Sequence, residues 1–333
     1  MKKLVFNTMK RLFFTLTVIS LSITFASCNK EEDPGKWIEI ELANFWKPKK
    51  GDVYIAGRVD TKGATVWKNG FAQLITGANA INSILVSNGN VYMAGSEGGL
   101  ATLWTNGVAQ LLSPIESEAH SVFVSGDDVY VTGSEIDRYS TRARLWKNEV
   151  AQELPTGVNG FIVYVSGSDV YALGKIYEYD QFYGWYFYCY VLYKNGIEQY
   201  RLHKGSITVN SIFVSNGNVY MAGWDAYYHD YYYDSATLWI NEEAQRLSLS
   251  RSEARSVIVS GYDVYVTGTE GNVARLWKNG VAQELPEGVQ PGFRFYVSGR
   301  DEYILSSGML FKNGIEQNLN TKFYNATSIF VVE

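Results

Sequence analysis

Residues Ser83–Leu112 read SILVSNGNVYMAGSEGGLATLWTNGVAQLL, and this stretch decides the fold. It contains two short apolar runs joined by an Asn/Gly turn, then a small loop, an aromatic-bearing run, an Asn-Gly pair and a last short run. An Asn-Gly pair between β-prone runs is typical of a two-residue hairpin. The stretch therefore predicts four antiparallel strands that follow one another as a meander.

The same unit recurs seven times along the chain. Each copy opens its second strand with a run of the form Val-Tyr-x-x-Gly, except that the seventh has Glu302 before its Tyr and Ser306 in place of Gly. Successive tyrosines are 38, 38, 41, 49, 45 and 38 residues apart, which is the spacing of propeller blades. These tyrosines are Tyr54, Tyr92, Tyr130, Tyr171, Tyr220, Tyr265 and Tyr303.

The two ends of the chain predict a closed ring. The first copy lacks a first strand of its own, whereas Ser328–Glu333 joined to Gly51–Gly57 reproduces Ser211–Gly223 in register. An open solenoid would instead have polar caps at both ends. We therefore expect an all-β fold over residues 51–333, a seven-bladed propeller of four-stranded antiparallel blades closed by the C-terminal strand. Full burial of the four apolar residues of that strand contributes about 6 to 12 kcal/mol.

The repeat resembles the wider propeller superfamily and, in part, the kelch repeat, in which a hydrophobic-Tyr-hydrophobic run ends in Gly and a Trp follows. It has one Gly where kelch has two, and it lacks the recurrent Trp-Asp ending of the WD repeat. The resemblance implies the ring fold and carries no activity with it.

The N-terminus has the parts of an export signal. Four basic residues accompany an apolar stretch from Leu12 to Phe25, which is shorter than the roughly 20 residues of a membrane-spanning helix. The stretch ends in Phe25-Ala26-Ser27-Cys28, which resembles the lipobox of bacterial lipoproteins, with Phe25 where Leu is usual. The resemblance implies a signal peptide over residues 1–27, lipidation of Cys28 and a tether over residues 28–50. An ordinary cleaved signal is the alternative.

The residues after Cys28 predict the location of the mature protein. Residues 29–35, NKEEDPG, are polar and resemble the acidic signal that sends some lipoproteins to the outer face of the outer membrane. We expect a surface-exposed, lipid-anchored protein of the outer membrane; the periplasmic face is the alternative.

Charge and cysteine content limit the partners. Loss of residues 1–27 changes the formal net charge from -5 to -9, and an acidic chain without clustered Lys or Arg argues against nucleic acid. With Cys28 acylated, Cys189 has no cysteine to pair with, so packing must hold the fold. We expect no cofactor, and a monomer or one member of a surface complex.

Most recurring polar and aromatic residues are predicted to be structural. The Asn at each turn between the third and fourth strands supplies the positive φ of a hairpin, and the Asx two residues before each Tyr belongs to the first hairpin. A Gln in each fourth strand is expected to bond a nearby backbone group, and the aromatic residue two before each Asn to pack between blades. The asparagines are Asn69, Asn106, Asn148, Asn195, Asn241, Asn279 and Asn313.

The inventory for catalysis is thin. The three histidines, His120, His203 and His229, fall at different positions of the repeat, so their spacing implies neither a catalytic triad nor a metal cluster. The acidic residues near His229 are typical of a solvated loop. We therefore expect a protein that is not an enzyme and holds no metal.

Two loops break the repeat, and both join the second strand to the third, in the fourth and fifth copies. Consecutive blades place these loops side by side on one face of the ring. The first alternates Tyr at period two, which predicts a prolonged hairpin with aromatics on one face. The candidate ligand-binding residues are Tyr177, Tyr179, Trp185, Tyr186, Tyr188, Trp224, Tyr227, Tyr228, Tyr231 and Tyr232.

These observations favour a non-catalytic propeller whose aromatic loops bind a glycan or a protein, because Tyr and Trp offer large, rigid, amphipathic surfaces. Two alternatives stay open. One is an exported hydrolase or lyase acting on a polysaccharide or a peptide. The other is a structural or assembly lipoprotein, in which the aromatic residues only pack among themselves.

Overall fold

The computed structural model describes residues 42–333 except 60–62, 137–140, 153, 155–158, 181–184, 203–205, 227–233 and 319–324. The described strands form seven antiparallel sheets of four strands each, and the sheets are the blades of one ring. The predicted all-β, seven-bladed propeller is thereby confirmed. Within these residues no helix is long and apolar enough to cross a membrane.

The chain enters the ring through one short helix and then builds the blades in order. The helix is α1 (Leu42–Phe45). The first three blades contain β1 (Val53–Val59), β2 (Gly63–Lys68), β3 (Phe71–Leu74); β4 (Ala78–Ser87), β5 (Asn90–Glu97), β6 (Leu100–Thr105), β7 (Val108–Leu111); β8 (Ser117–Ser125), β9 (Asp128–Ile136), β10 (Thr141–Lys147) and β11 (Val150–Gln152). The next two contain β12 (Asn159–Ser166), β13 (Asp169–Asp180), β14 (Trp185–Lys194), β15 (Ile197–Leu202); β16 (Ser206–Ser215), β17 (Asn218–Ala226), β18 (Ser235–Ile240) and β19 (Glu243–Arg246). The last two contain β20 (Ser252–Ser260), β21 (Asp263–Glu270), β22 (Val273–Lys278), β23 (Val281–Gln283); β24 (Arg294–Ser298), β25 (Asp301–Ser306), β26 (Met309–Lys312) and β27 (Ile315–Gln317).

The C-terminal strand β28 (Ser328–Val331) completes blade 1, as the sequence predicts. It pairs antiparallel with β1, from Val53 opposite Val331 to Ala56 opposite Ser328. Ile329 and Val331 are buried against blade 7, whereas Phe330 and Val332 are only partly buried, against blade 2. The closing strand thus contacts both neighbouring blades, but full burial applies to two of its side chains rather than four. Its contribution is therefore smaller than the sequence estimate, about 3 to 6 kcal/mol from the two buried residues.

The core consists of seven clusters, and each lies between two adjacent blades. The third-strand aromatic residue of one blade packs against the second and third strands of the preceding blade; Trp104, for example, packs against Tyr54, Ala64 and Val66. The same arrangement recurs around the ring and joins blade 7 to blade 1 through Trp67. The predicted packing of these aromatics between blades is confirmed at Trp67, Trp104, Trp146, Tyr193, Trp239, Trp277 and Phe311.

The first strand of each blade is innermost and the fourth is at the rim. Neighbouring first strands are linked by hydrogen bonds; the Ser83 hydroxyl of β4, for example, accepts one from the backbone amide of Val122 in β8. All four residues of the fourth strand β7 are exposed, as are those of β19. Six of the seven predicted Gln residues of the fourth strands donate to a backbone carbonyl of their own strand. The exposed fourth strands thus lie at the rim of the ring and the first strands at its centre.

The blades have two distinct ends. The turns between first and second strands and between third and fourth strands, such as Asn106-Gly107, lie at one end, which we call the turn face. The loops between second and third strands, such as Gly98-Gly99, lie at the other end, which we call the loop face. In each blade the antiparallel meander fixes this arrangement.

The segment Leu42–Lys50 packs on the turn face of blades 1 and 2. Phe45 is 2% exposed, and its carbonyl accepts a hydrogen bond from the Tyr54 hydroxyl at 3.1 Å. Lys68 Nζ donates to the carbonyl of Lys47 at 2.7 Å. The Trp46 indole lies so close to Gly107 that a Cβ there would be 2.8 Å from Nε1. The chain therefore enters the ring at the turn face, and part of the predicted tether is docked on it.

Candidate functional site

The longest connection at the loop face that the structure describes in part is the hairpin of β13 and β14 in blade 4. β13 has 12 residues where β21 has 8, and β14 has 10 where β22 has 6. At about 3.3 Å per residue, the four extra residues extend this hairpin by roughly 13 Å. The predicted prolonged hairpin is confirmed.

The register of this hairpin places the predicted tyrosines at positions of one side. Tyr177 pairs with Tyr188, and Tyr179 pairs with Tyr186. Positions that are two apart along a strand, or directly opposite across it, share a side of the sheet. Tyr179 is 53% exposed. The backbone thus aligns four tyrosine positions as a ladder, and we call Tyr177, Tyr179, Tyr186 and Tyr188 the tyrosine ladder.

The tyrosine ladder lies on the side of blade 4 that faces blade 5. Toward the ring, the same side continues through Tyr171, Leu173, Tyr190 and Leu192, which pack against blade 5 in one buried cluster. Lys175 Nζ sits 5.6 Å from the Tyr190 ring, between the cluster and the ladder. Blade 5 is therefore the neighbour on the side of the tyrosine ladder.

The two predicted tryptophans occupy other sides. Position 185 pairs with Asp180 and alternates with the tyrosine ladder, so it belongs to the side on which Ala172 packs against blade 3. Trp224 pairs with Ala236, and this side of blade 5 packs against blade 6. The structure therefore does not bring these positions together with the tyrosine ladder. Tyr227, Tyr228, Tyr231 and Tyr232 lie outside the described residues, as does Cys28.

The blade 3 side of the hairpin is held by charge pairs and burial. Arg201 of β15 makes ion pairs with Glu178 of β13 and with Glu198, whose Oε1 is 2.7 Å from Nε. Cys189 is fully buried on this side, and burial, followed by the Glu178 charge, raises the pKa of its thiol to about 11. A thiol with this pKa is almost entirely protonated at neutral pH. These contacts support the hairpin from behind the tyrosine ladder.

Blade 5 has a carboxylate, that of Asp225, on the side that faces blade 4. Asp225 alternates with Trp224, and its side continues through Met221, which packs against blade 4. Burial raises the pKa of Asp225, and the Arg246 charge opposes that shift. Tyr171, Leu173, Lys175 and Tyr177 are spaced two apart in the sequence and therefore share one side of the strand. Because Tyr171 and Leu173 are core residues, this spacing indicates that the tyrosine ladder continues the side of blade 4 that packs against a neighbouring blade. Lys175 and Asp225 are not among the residues that the sequence predicted to bind a ligand.

The described histidine is His120, in the inner strand of blade 3. Its Nε2 is 3.2 Å from the Ser134 hydroxyl. His203 and His229 lie outside the described residues. No group of three or more His, Cys, Asp or Glu suited to a metal ion occurs within the described part of the chain.

Comparison with known proteins supports the fold alone. No family model matches the sequence, and the comparison with curated proteins gave no match. Among solved structures, the β-propeller domain of the Trilobed protease from Pyrococcus furiosus is similar at 12% identity and TM-score 0.55, over 81% of this chain and 93% of that one. Pyrococcus horikoshii acylaminoacyl peptidase is similar at 14% identity and TM-score 0.51, over 85% of this chain. This chain spans about half of that peptidase, 54% of its length.

Proposed function

We propose that this protein is a non-catalytic binding propeller, and that its ligand, a glycan or a protein surface, contacts the tyrosine ladder. The observation that carries the proposal is the blade 4 hairpin, which extends past the ring, aligns four tyrosine positions and is braced on its opposite side by Arg201. Flat aromatic surfaces on a rigid support suit stacking on sugar rings and anchoring of a protein partner. Tyr227, Tyr228, Tyr231 and Tyr232 of the fifth copy are included in the proposal on the evidence of the sequence alone.

We also propose that Cys28 anchors the protein by a lipid to the outer membrane, exposed at the cell surface. The part of the predicted tether that the structure describes, from Leu42 to Lys50, packs on the turn face, whereas the tyrosine ladder lies at the loop face.

The test is a binding screen against glycans and surface proteins with the chain from residue 29, followed by two variants. We expect Tyr179→Ala combined with Tyr186→Ala to weaken binding by about tenfold or more, because truncation of aromatic anchors typically costs 2 kcal/mol or more. Tyr262→Ala is the matched control, since Tyr262 is 99% exposed and lies in a turn-face loop of blade 6.

Two results would contradict the proposal. Equal affinity of the double variant and the unaltered chain would remove the tyrosine ladder from the binding surface. Release of shortened glycan or peptide products from the bound ligand would show that the protein is a catalyst.

A further inference from the structure

One position of the inner strands is occupied by Ser in five blades and by Arg in blade 7. In each of these blades the residue pairs with the second-strand residue two positions after the repeat Tyr. Ser83 pairs with Ala94, for example, and Arg294 pairs with Leu305. The position therefore has the same height in each blade: it lies midway along β4, β8, β16 and β20 and at the loop-face start of the shorter β24 and β28. The five serines are Ser83, Ser121, Ser211, Ser256 and Ser328.

The serines link neighbouring blades. The Ser328 hydroxyl accepts a hydrogen bond from the amide of Ile84 at 3.2 Å, and Ser211 accepts one from the amide of Val257 at 3.2 Å. In blade 7 the link is made differently, because Arg294 Nε donates to the carbonyl of Thr327 in blade 1 at 2.7 Å. A short uncharged side chain would suffice for the link, so the guanidinium brings a charge that the ring does not need for this contact.

A second arginine reaches the same place from blade 6. Arg255 lies in the inner strand β20, and its Nη1 would be 3.9 Å from a Cβ on Gly292. Arg294 Nη1 donates to the carbonyl of that same Gly292 at 3.3 Å. Two guanidinium groups therefore converge on Gly292, in the wall of the central channel at the loop face.

These two charges are incompletely neutralised. Arg255 pairs with Glu253 at 3.3 Å, whereas the hydrogen bonds of Arg294 go to neutral carbonyls, with no carboxylate partner among the described residues. Burial lowers the pKa of Arg294, and the Arg255 charge lowers it further, although solvent reaches the side chain. Two like charges held close together repel each other when no anion lies between them. An anion between the two groups would remove this repulsion.

We propose that Arg255 and Arg294 form an oxyanion-binding site at the loop-face mouth of the channel, between blades 6 and 7. The ligand class is a carboxylate, sulfate or phosphate group, because the guanidinium fork matches two oxygens of such a group. The site is separate from the tyrosine ladder of blade 4, and it stands whether or not that ladder binds a glycan or a protein.

The test uses calorimetric titration of the full chain with sodium sulfate, sodium phosphate and galacturonate, each at constant ionic strength set with NaCl. We expect saturable binding of at least one probe, weakened about tenfold or more by Arg294→Ser and by Arg255→Asn, since a hydrogen bond to a charged group is worth about 1.5 to 3 kcal/mol. Both variants introduce residues that other blades carry at the same positions, so the ring should fold. Circular dichroism and the melting temperature check this.

Arg300→Ser is the matched control, because it removes the same charge from the turn at the opposite end of the blade 7 inner hairpin. It should leave the affinity unchanged. A preference for galacturonate points to a uronic acid as the natural group, and a preference for sulfate or phosphate points to those esters; either supports the site. Absence of saturable binding by all three probes, or equal affinity in folded Arg294→Ser protein, overturns it. Tyr179→Ala with Tyr186→Ala should leave the titration unaltered, which separates this site from the ladder.

Discussion

At the scale of single residues, the turn-face asparagines do more than supply a turn. All seven have φ between 48° and 58°. The Oδ1 atom of each accepts a hydrogen bond, at 2.8–3.0 Å, from the backbone amide of the residue just before the repeat Tyr. The Nδ2 atom of each donates, at 2.7–3.2 Å, to the side chain of the Asp or Asn two residues before that Tyr. In the five blades where this residue is Asp, it forms an ion pair with the Lys that directly follows the third-strand aromatic residue. In the two blades where it is Asn90 or Asn218, the residue in place of that Lys is Thr105 or Ile240. The two positions therefore vary together within one chain, because a carboxylate here needs a cation.

Two substitutions of Asn279 separate the turn conformation from the hydrogen bonds. Asn279→Gly keeps the positive φ and loses the bonds to Val264 and Asp263, so we expect the free energy of unfolding to fall by about 1 kcal/mol. Asn279→Ala also forces a residue with a Cβ into the left-handed region and should cost about 1 to 2 kcal/mol more. Urea unfolding measures both. In both variants the pKa of Asp263 should rise toward its usual value, since hydrogen bonds from Asn279 and then Lys278 lower it. Equal stability of the two variants would exclude strain at this turn.

At the scale of single elements, the repeat Gly is required by the strand across from it. The first strands of blades 2, 3, 5 and 6 contain a bulge opposite this Gly. A Cβ on Gly268 would overlap the carbonyl oxygen of Glu253. In blade 7 the first strand starts only at Arg294, opposite Leu305, so no first-strand residue pairs with Ser306. Ser306 instead accepts the amide of Gln290 at 2.9 Å. The departure of the seventh copy from the motif thus has a steric reason.

Gly268→Ala and Ser306→Ala test this reason, because both variants carry Ala at equivalent positions of two blades, but only the first adds a Cβ that the protein did not have. We expect Gly268→Ala to destabilise the protein by about 1 to 3 kcal/mol through overpacking. Ser306→Ala should cost only the hydrogen bond to Gln290, about 1 kcal/mol. Thermal and urea unfolding give the comparison. If Gly268→Ala is as stable as the unaltered chain, the bulge carbonyl can move aside and the Gly has another role.

At the scale of the whole molecule, stability depends on closing the ring. Every core cluster is shared by two blades, so opening the ring at one blade boundary would split one cluster and expose both of its halves to solvent. The closing strand β28 lies between the cluster shared with blade 7 and the one shared with blade 2. The pairing of β28 with β1 and the burial of its side chains therefore hold the first and last blades together.

Deletion of residues 328–333 should therefore open or unfold the ring. Loss of buried Ile329 and Val331 alone removes about 3 to 6 kcal/mol, a large share of a typical domain stability. We expect a strongly lowered melting temperature and new amide exchange in β1. A chain lacking only Glu333 is the control, because that residue is exposed and its side chain accepts the amide of Gly299 in an exposed turn. An unaltered melting temperature in the longer deletion would show that the ring does not need this strand.

The sequence by itself determined the blade, the number of blades and the closing strand, because hairpin turns and alternating apolar positions are local patterns that repeat. It also predicted that the blade 4 insertion prolongs a hairpin, because Tyr residues spaced two apart are typical of a strand. The tertiary structure alone decided which neighbour each side faces. It turned the tyrosine ladder toward blade 5, set positions 185 and 224 on other sides, and brought Arg255 and Arg294 together across a blade boundary. These relations join residues far apart in the chain, and a repeat pattern does not specify them.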